Sequence, residues 1–139
     1  MFSHLQNKSL SVRPVFAEKG GGVVVNISSV MGVIAPNQSI YGDSFKPITY
    51  SAAKHGIIGM TKYLATYYAQ SNVRVNALSP GGVFDNQPEE FVDKLTNLIP
   101  MNRMADKTEY KGSIVFLCSD ASSYMTGHNL VVDGGMTAW

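Results

Sequence analysis

The sequence predicts an α/β fold: a parallel sheet of about three strands with helices flanking it. Three observations carry this. Val23-Val-Val-Asn-Ile-Ser28 is a β-branched run that is apolar on both faces, the pattern of a strand buried inside a parallel sheet. From Tyr50 to about Gln70 the apolar period changes to that of a helix. Strand-like and helix-like segments then alternate to the end of the chain, as in βαβ units with right-handed crossovers.

Residues 1–13 carry no pattern and are expected to be irregular. Pro14 to Lys19 reads as the last turn of a helix, which Gly20-Gly-Gly22 stops ahead of the first strand. The stretch 33–49 reads as a loop, with Pro36, Asn37, Gly42, Asp43 and Pro47 supplying turn chemistry. In the helix of residues 50–70, Ala53, Ile57, Met60, Leu64 and Tyr67 form the expected apolar stripe. Ser71-Asn72 ends that helix, and Val73 to Leu78 is a second strand closed by Ser79-Pro-Gly-Gly82. Pro88 opens a short amphipathic helix with Phe91, Val92, Leu95 and Leu98, stopped by Pro100. Asp106 and Glu109 are spaced as a capping box before a helix carrying Tyr110, Ile114, Leu117 and Cys118. Asn129 to Val132 is the third strand, ending at Asp133-Gly-Gly135.

Composition narrows the classes. A chain of 139 residues supports one domain, and 45% hydrophobic with 15% charged residues excludes a disordered polyampholyte. With 11 basic and 10 acidic residues there is no electrostatic footprint for nucleic acid. No segment approaches the roughly 18 uninterrupted apolar residues of a membrane span. The N-terminal residues have no apolar signal region, and the single cysteine, Cys118, cannot form an internal disulfide, so a cytoplasmic protein is expected. Cys118 on an apolar stripe reads as core rather than as a nucleophile. His4, His55 and His128 lack metal-ligand spacing, and Ala77-Leu-Ser-Pro-Gly81 lacks the first glycine of a nucleophile elbow.

Chemistry concentrates at the strand ends. Tyr50 and Lys54, four apart at a helix start, project from one face about 5–6 Å apart at Cβ. A phenol with a reference pKa of about 10 is a poor acid or base at neutral pH, and a fixed ammonium beside it favours the phenolate. Lowering its pKa by about three units takes roughly 4 kcal/mol of differential stabilisation. Such a pair suits proton exchange in a carbonyl–alcohol interconversion. Ser28 and Ser29 end the first strand, where ligands of open α/β sheets bind and a hydroxyl can meet the oxygen that gains charge; alternatively they cap the turn before Gly32. Ser79 to Gly82 ends the second strand at the same edge, where glycines let a flat ligand approach the backbone.

Together, Asn26 to Gly32, Tyr50-Ser-Ala-Ala-Lys54, Arg74 to Gly81, Phe116 to Gly127 and Val131 to Gly135 resemble the C-terminal half of a short-chain dehydrogenase/reductase. The resemblance runs from about Pro14 to Trp139. It implies a Rossmann-like parallel sheet, truncated to three strands, and an NAD- or NADP-dependent oxidoreductase acting on a small-molecule carbonyl or alcohol. By resemblance, Ser29 rather than Ser28 polarises the carbonyl, Tyr50 is the general acid/base, and Lys54 tunes Tyr50 and holds the nicotinamide ribose. Pro80, Gly81 and Val83 line the nicotinamide site. The resemblance also implies that the helix of residues 50–70, with Gly56 and Gly59 allowing close approach, forms a homodimer or homotetramer interface.

The sequence departs from the family pattern in several places. The Gly-rich phosphate loop, the ribose selector and the proton-relay asparagine have no counterpart; Gly20-Gly-Gly22 precedes a strand instead of following one, and Asn7 is out of register. Asp85 stands where the family commonly has a carboxamide-binding threonine, with Asn86 as the neighbouring candidate. The Ser29-to-Tyr50 separation is long, with extra residues around 36–45; Tyr41 is no second catalytic tyrosine, because Phe45 holds its i+4 position. That enlarged loop is similar to those of members acting on nucleotide sugars or nonulosonic-acid precursors. The alternative reading is a truncated or pseudo-enzyme fragment without cofactor binding, an oligomerisation partner with its first strand left as an apolar edge.

Overall fold

The computed structural model describes residues 13–139, and the expected irregularity of the first twelve residues lies outside the described part. Helix α1 (Arg13–Glu18) leads into strand β1 (Gly22–Ile27), and helix α2 (Ile48–Tyr68) into β2 (Val73–Pro80). Helices α3 (Glu89–Thr96) and α4 (Lys111–Cys118) precede β3 (Asn129–Val132). The sheet order is β1-β2-β3 and both pairings are parallel, with Gly22 opposite Val73 and Ala77 opposite Asn129. Parallel neighbours require crossovers, and α2 supplies the first while α3 and α4 supply the second.

Alternation along β2 divides the molecule into layers. Val73 and Val75 face Ala65 and Tyr68 of α2, with Phe16, Val24 and Leu64 packed around them. On the other side Arg74 donates to Ser122 Oγ and to the carbonyl of Ser119, just beyond α4. Asn76, fully buried, donates to the carbonyl of Met125 and accepts from the N–H of His128. Ser79 donates to Asn129 Oδ1 across to β3, so the polar groups inside this central strand are satisfied. A second cluster lies beyond the strand ends: Val30, Met31, Ile40, Leu95, Ile99, Met104 and Met136.

Five expectations need correction. The buried side of α2 is Thr61, Ala65 and Tyr68, not the stripe from Ala53 to Tyr67; Ala53, Met60 and Tyr67 are exposed. A buried polar residue displaces the stripe, because Thr61 accepts from Asn26 Nδ2 of β1 and donates to the carbonyl of Ile57. Strand β1 is half-buried rather than buried on both faces, since among the described residues it pairs only with β2 and ends at Ile27, 48% exposed. Cys118 is exposed, Leu117 taking the buried position at the end of α4. The capping box of Asp106 and Glu109 is present, but it starts a 3-10 turn (Lys107–Tyr110) that leads into α4. The loop before α2 likewise holds a 3-10 turn, Gln38–Tyr41, capped by Asn37.

Candidate active site

The turn after β1 brings the site together. Ser29 caps the 3-10 turn Val30–Gly32, its Oγ accepting from the N–H of Met31 at 3.2 Å. That uses an oxygen lone pair and leaves the O–H proton without an acceptor among the described residues. Ser28 is placed differently: its hydroxyl donates to the carbonyl of Lys54 at 2.8 Å, anchoring α2 to the end of β1. Gly32 permits this contact. A Cβ there would stand 2.6 Å from Ser28 Oγ and 2.7 Å from the carbonyl oxygen of Lys54. The capping alternative thus holds for Ser29 alone, Ser28 bonds across to helix α2, and of the two only Ser29 has an O–H without an acceptor among the described residues.

Helix α2 begins two residues before Tyr50, and the N–H of Tyr50 bonds to the carbonyl of Pro47 in its first turn. Tyr50 is 37% exposed. Lys54 runs along the same face, its Nζ 5.6 Å from the Tyr50 ring centroid and donating to the carbonyl of Ile27 at 3.1 Å. The lysine thus ties the helix to the strand end while presenting its ammonium beside the phenol. Ser29, Tyr50, Gly81 and Gly82 line one cleft with Met31, Lys46, Leu95 and Met136. Lys54, Pro80 and Val83 do not line it, although Lys54 reaches the Tyr50 ring and Pro80 and Val83 flank the two glycines.

The Pro80–Val83 segment is held from both sides. Gly81 packs so closely on β3 that a Cβ would stand 2.7 Å from Asp133 Cα. Val83 bridges to Ala105, whose N–H donates to the carbonyl of Gly82. The Gln87 amide closes the loop by donating to the carbonyl of Val83 and accepting from the N–H of Asp85. Asp85 and Asn86 are exposed, Asn86 in a left-handed conformation. Ala105 lies between Arg103 and Glu109, which are joined by two hydrogen bonds of 2.6 and 2.8 Å. Those bonds, with one from the N–H of Asp106, hold the Glu109 carboxyl down at about 2.

Tyr41 lies near the site as a packing residue. Its ring meets Phe91 at 5.7 Å, and burial, then the neighbouring Tyr50, pushes its phenol above the ordinary value. Lys46 is the lining residue that sequence reasoning missed. Its Nζ sits 4.0 Å from the Tyr50 ring centroid, opposite in sequence direction from Lys54. A lysine in a loop, four residues ahead of a tyrosine, carries no periodic signal. Leu95 and Met136 were legible only as apolar residues.

A parallel sheet with serine, tyrosine and lysine gathered at its strand ends defines the class before any comparison. A family model described as enoyl-(acyl carrier protein) reductase matches residues 7–137. A D-arabinitol 2-dehydrogenase (ribulose-forming) of Candida tropicalis is 38% identical over 135 residues, covering 91% of this chain and 46% of that protein. Among solved structures, a short-chain dehydrogenase of Leptospira borgpetersenii with bound NAD+ is 39% identical at a TM-score of 0.86, covering 93% of this chain and 50% of the other. A gluconate 5-dehydrogenase of Burkholderia cenocepacia, in complex with NADP and tartrate, is 27% identical at a TM-score of 0.82, covering 94% of this chain and 51% of the other. The chain belongs to the short-chain dehydrogenase/reductase family of oxidoreductases. It spans about half the length of the relatives it matches. No helix among the described residues is long and apolar enough to cross a membrane.

Proposed function

We propose that this chain carries the proton-transfer side of an NAD- or NADP-dependent carbonyl–alcohol interconversion on a sugar-derived small molecule, in the cytoplasm. One observation carries the reading: Ser29 with an uncommitted O–H, Tyr50 beside an ammonium, and the Gly81–Gly82 backbone meet at one cleft. In reduction, Ser29 donates a hydrogen bond to the carbonyl oxygen and Tyr50 gives that oxygen a proton; in oxidation Tyr50 takes it back. Lys54 stabilises the phenolate left after transfer. The nicotinamide cofactor, when bound, exchanges hydride with the carbonyl carbon.

The residues present suit the nicotinamide end of that cofactor. Lys54 spends one of three N–H donors on Ile27, which leaves two for ribose hydroxyls, and Pro80, Gly81 and Val83 offer backbone at the strand ends. The polyol substrate of the arabinitol dehydrogenase relative supports the sugar-derived class. The test is Tyr50→Phe, followed as oxidation of NADH or NADPH by a ketose. We expect turnover to fall by about 10²–10⁴; full turnover in the variant overturns the assignment.

The outer face of α2 supports a homodimer or homotetramer through this helix. Met60, Tyr63 and Tyr67 are 46%, 64% and 47% exposed, Tyr63 and Tyr67 stack at 6.0 Å, and nothing lies within 4 Å of a Cβ placed on Gly56 or Gly59. A second reading, a fragment that does not hold cofactor unaided and serves as an oligomerisation partner, is favoured by the half-buried edge strand β1. Fluorescence titration of the 139-residue chain with NADH separates the two: micromolar binding removes the second reading.

A further inference from the structure

The enlarged loop before α2 carries a feature that proton transfer does not use. Gln38 grips the backbone of Lys46 with both ends of its amide: Oε1 accepts from the Lys46 N–H at 2.9 Å, and Nε2 donates to the Lys46 carbonyl at 3.1 Å. Asn37 fixes Gln38 in turn, by capping the 3-10 turn in which it sits. A lysine backbone held at both polar groups is an unusual investment for a surface side chain, because a loop residue ordinarily leaves them to water.

That grip aims a cation into the cleft. The Lys46 ammonium lies over the Tyr50 ring at 4.0 Å and lines the hollow with Ser29, Gly81 and Gly82. No carboxylate among the described residues pairs with it; the two ion pairs present are Lys94–Glu90 and Arg103–Glu109, and Asp43 of the same loop takes no part. The wall continues past Lys46 into a second hollow lined by Pro36, Gln38, Ser51 and His55. There the Ser51 hydroxyl is buried without a hydrogen-bond partner. An unpaired, preorganised ammonium at the rim and an orphaned hydroxyl beyond it are both answered by a polar, negatively charged ligand group.

We propose that Lys46 is a specificity-determining residue that binds an anionic group of the substrate, a carboxylate or a phosphate, next to the reacting carbonyl. This rests on the proton-transfer reading for the position of that carbonyl, and it refines the substrate class from a polyol to an acidic sugar derivative. Lys46 does not move the proton; it positions the molecule whose oxygen Tyr50 meets.

The test is calorimetric binding at low ionic strength, using the chain as it stands and three probes. D-Gluconate carries a carboxylate, D-glucitol 6-phosphate a phosphate, and D-glucitol neither on the same carbon frame. At least one anion should bind about fivefold or more tightly than D-glucitol. Added salt should shrink the preference. Whichever anion is preferred names the group. Lys46→Gln should abolish the preference and Lys46→Arg should keep it. Equal affinities, no measurable binding of any probe, or a preference that survives in Lys46→Gln overturns the proposal. Binding is read without turnover, so an anion preference in a protein whose Tyr50→Phe variant keeps full activity would sink the proton-transfer reading alone.

Discussion

Ser28 and Lys54 meet through a hydrogen bond of 2.8 Å, hydroxyl to main-chain carbonyl, that ties the end of β1 to the helix bearing Tyr50. The neighbouring Ser29 makes no such tie. Two adjacent serines therefore differ in what they hold, one tying the helix to the strand end and the other capping the turn with its O–H left without an acceptor among the described residues.

This division is separable by mutation. Ser28→Ala should lower stability by about 1 kcal/mol, the usual value of one such bond, and the melting temperature by several degrees, about 4 °C. Ser29→Ala should also cost about 1 kcal/mol, because it leaves the buried Met31 N–H unpaired, and on the proposed reading it should in addition lower turnover by about 10²–10³ while Ser28→Ala leaves turnover far less affected. Thermal melts and steady-state kinetics on the two variants check both halves.

Gly32 should tolerate no side chain. Gly32→Ala places a methyl 2.6 Å from Ser28 Oγ, which can turn away only by giving up its bond to Lys54, and 2.7 Å from the carbonyl oxygen of Lys54, which cannot retreat without shifting the helix. The overpacking should cost about 1–3 kcal/mol in urea unfolding. Relief in the double variant with Ser28→Ala would locate the strain at that contact.

The fully buried Asn76 serves two backbone groups across the sheet face. Asn76→Ala leaves the His128 N–H without its partner and the Met125 carbonyl with only the longer hydrogen bond of 3.4 Å from Arg74, and it empties a fully buried position. Chemical denaturation should show a loss of about 2–3 kcal/mol, larger than for Ser28→Ala.

Acid should weaken the molecule through Glu109. Its carboxyl is held from the ordinary 4.5 down to about 2, chiefly by the Arg103 hydrogen bonds. A depressed carboxyl stabilises the fold in full above its unfolded value, loses that contribution as pH falls below about 4.5, and contributes nothing below about 2. The wild type should therefore be more stable than Glu109→Gln at pH 6. The gap should close on acidification and shrink with salt, since the pair is solvent-exposed. Urea midpoints across that window measure it.

If α2 forms the subunit interface, a charge on its outer face should open it. Tyr63→Glu places a carboxylate beside Met60 and Tyr67 without touching the buried Thr61, Ala65 and Tyr68. Light scattering should show the assembly reduced to monomer at unchanged helicity.

Much of this protein was legible in its sequence. The β-branched runs, the helical period after Tyr50 and the turn residues between them predicted the three parallel strands, because backbone alternation and helix periodicity are local properties. The family resemblance put forward Ser29, Tyr50, Lys54 and Gly81, and the strand ends and helix start that carry them share one sheet edge, as in parallel arrangements generally. Tertiary structure alone decided which face of α2 is buried, because the hydrogen bond from Asn26 to Thr61 draws a polar residue inward and leaves Met60 and Tyr67 outside. It decided between the two sequence expectations for β1, buried on both faces or an apolar edge, in favour of a half-buried edge among the described residues, since a strand's cover depends on its neighbours. It also decided the hydrogen bonds of the paired serines and the place of the Lys46 main chain, which the Gln38 amide holds from eight residues away. Local pattern specifies elements and their ends; contacts between segments distant in sequence specify where each side chain's hydrogen bonds and charge are spent.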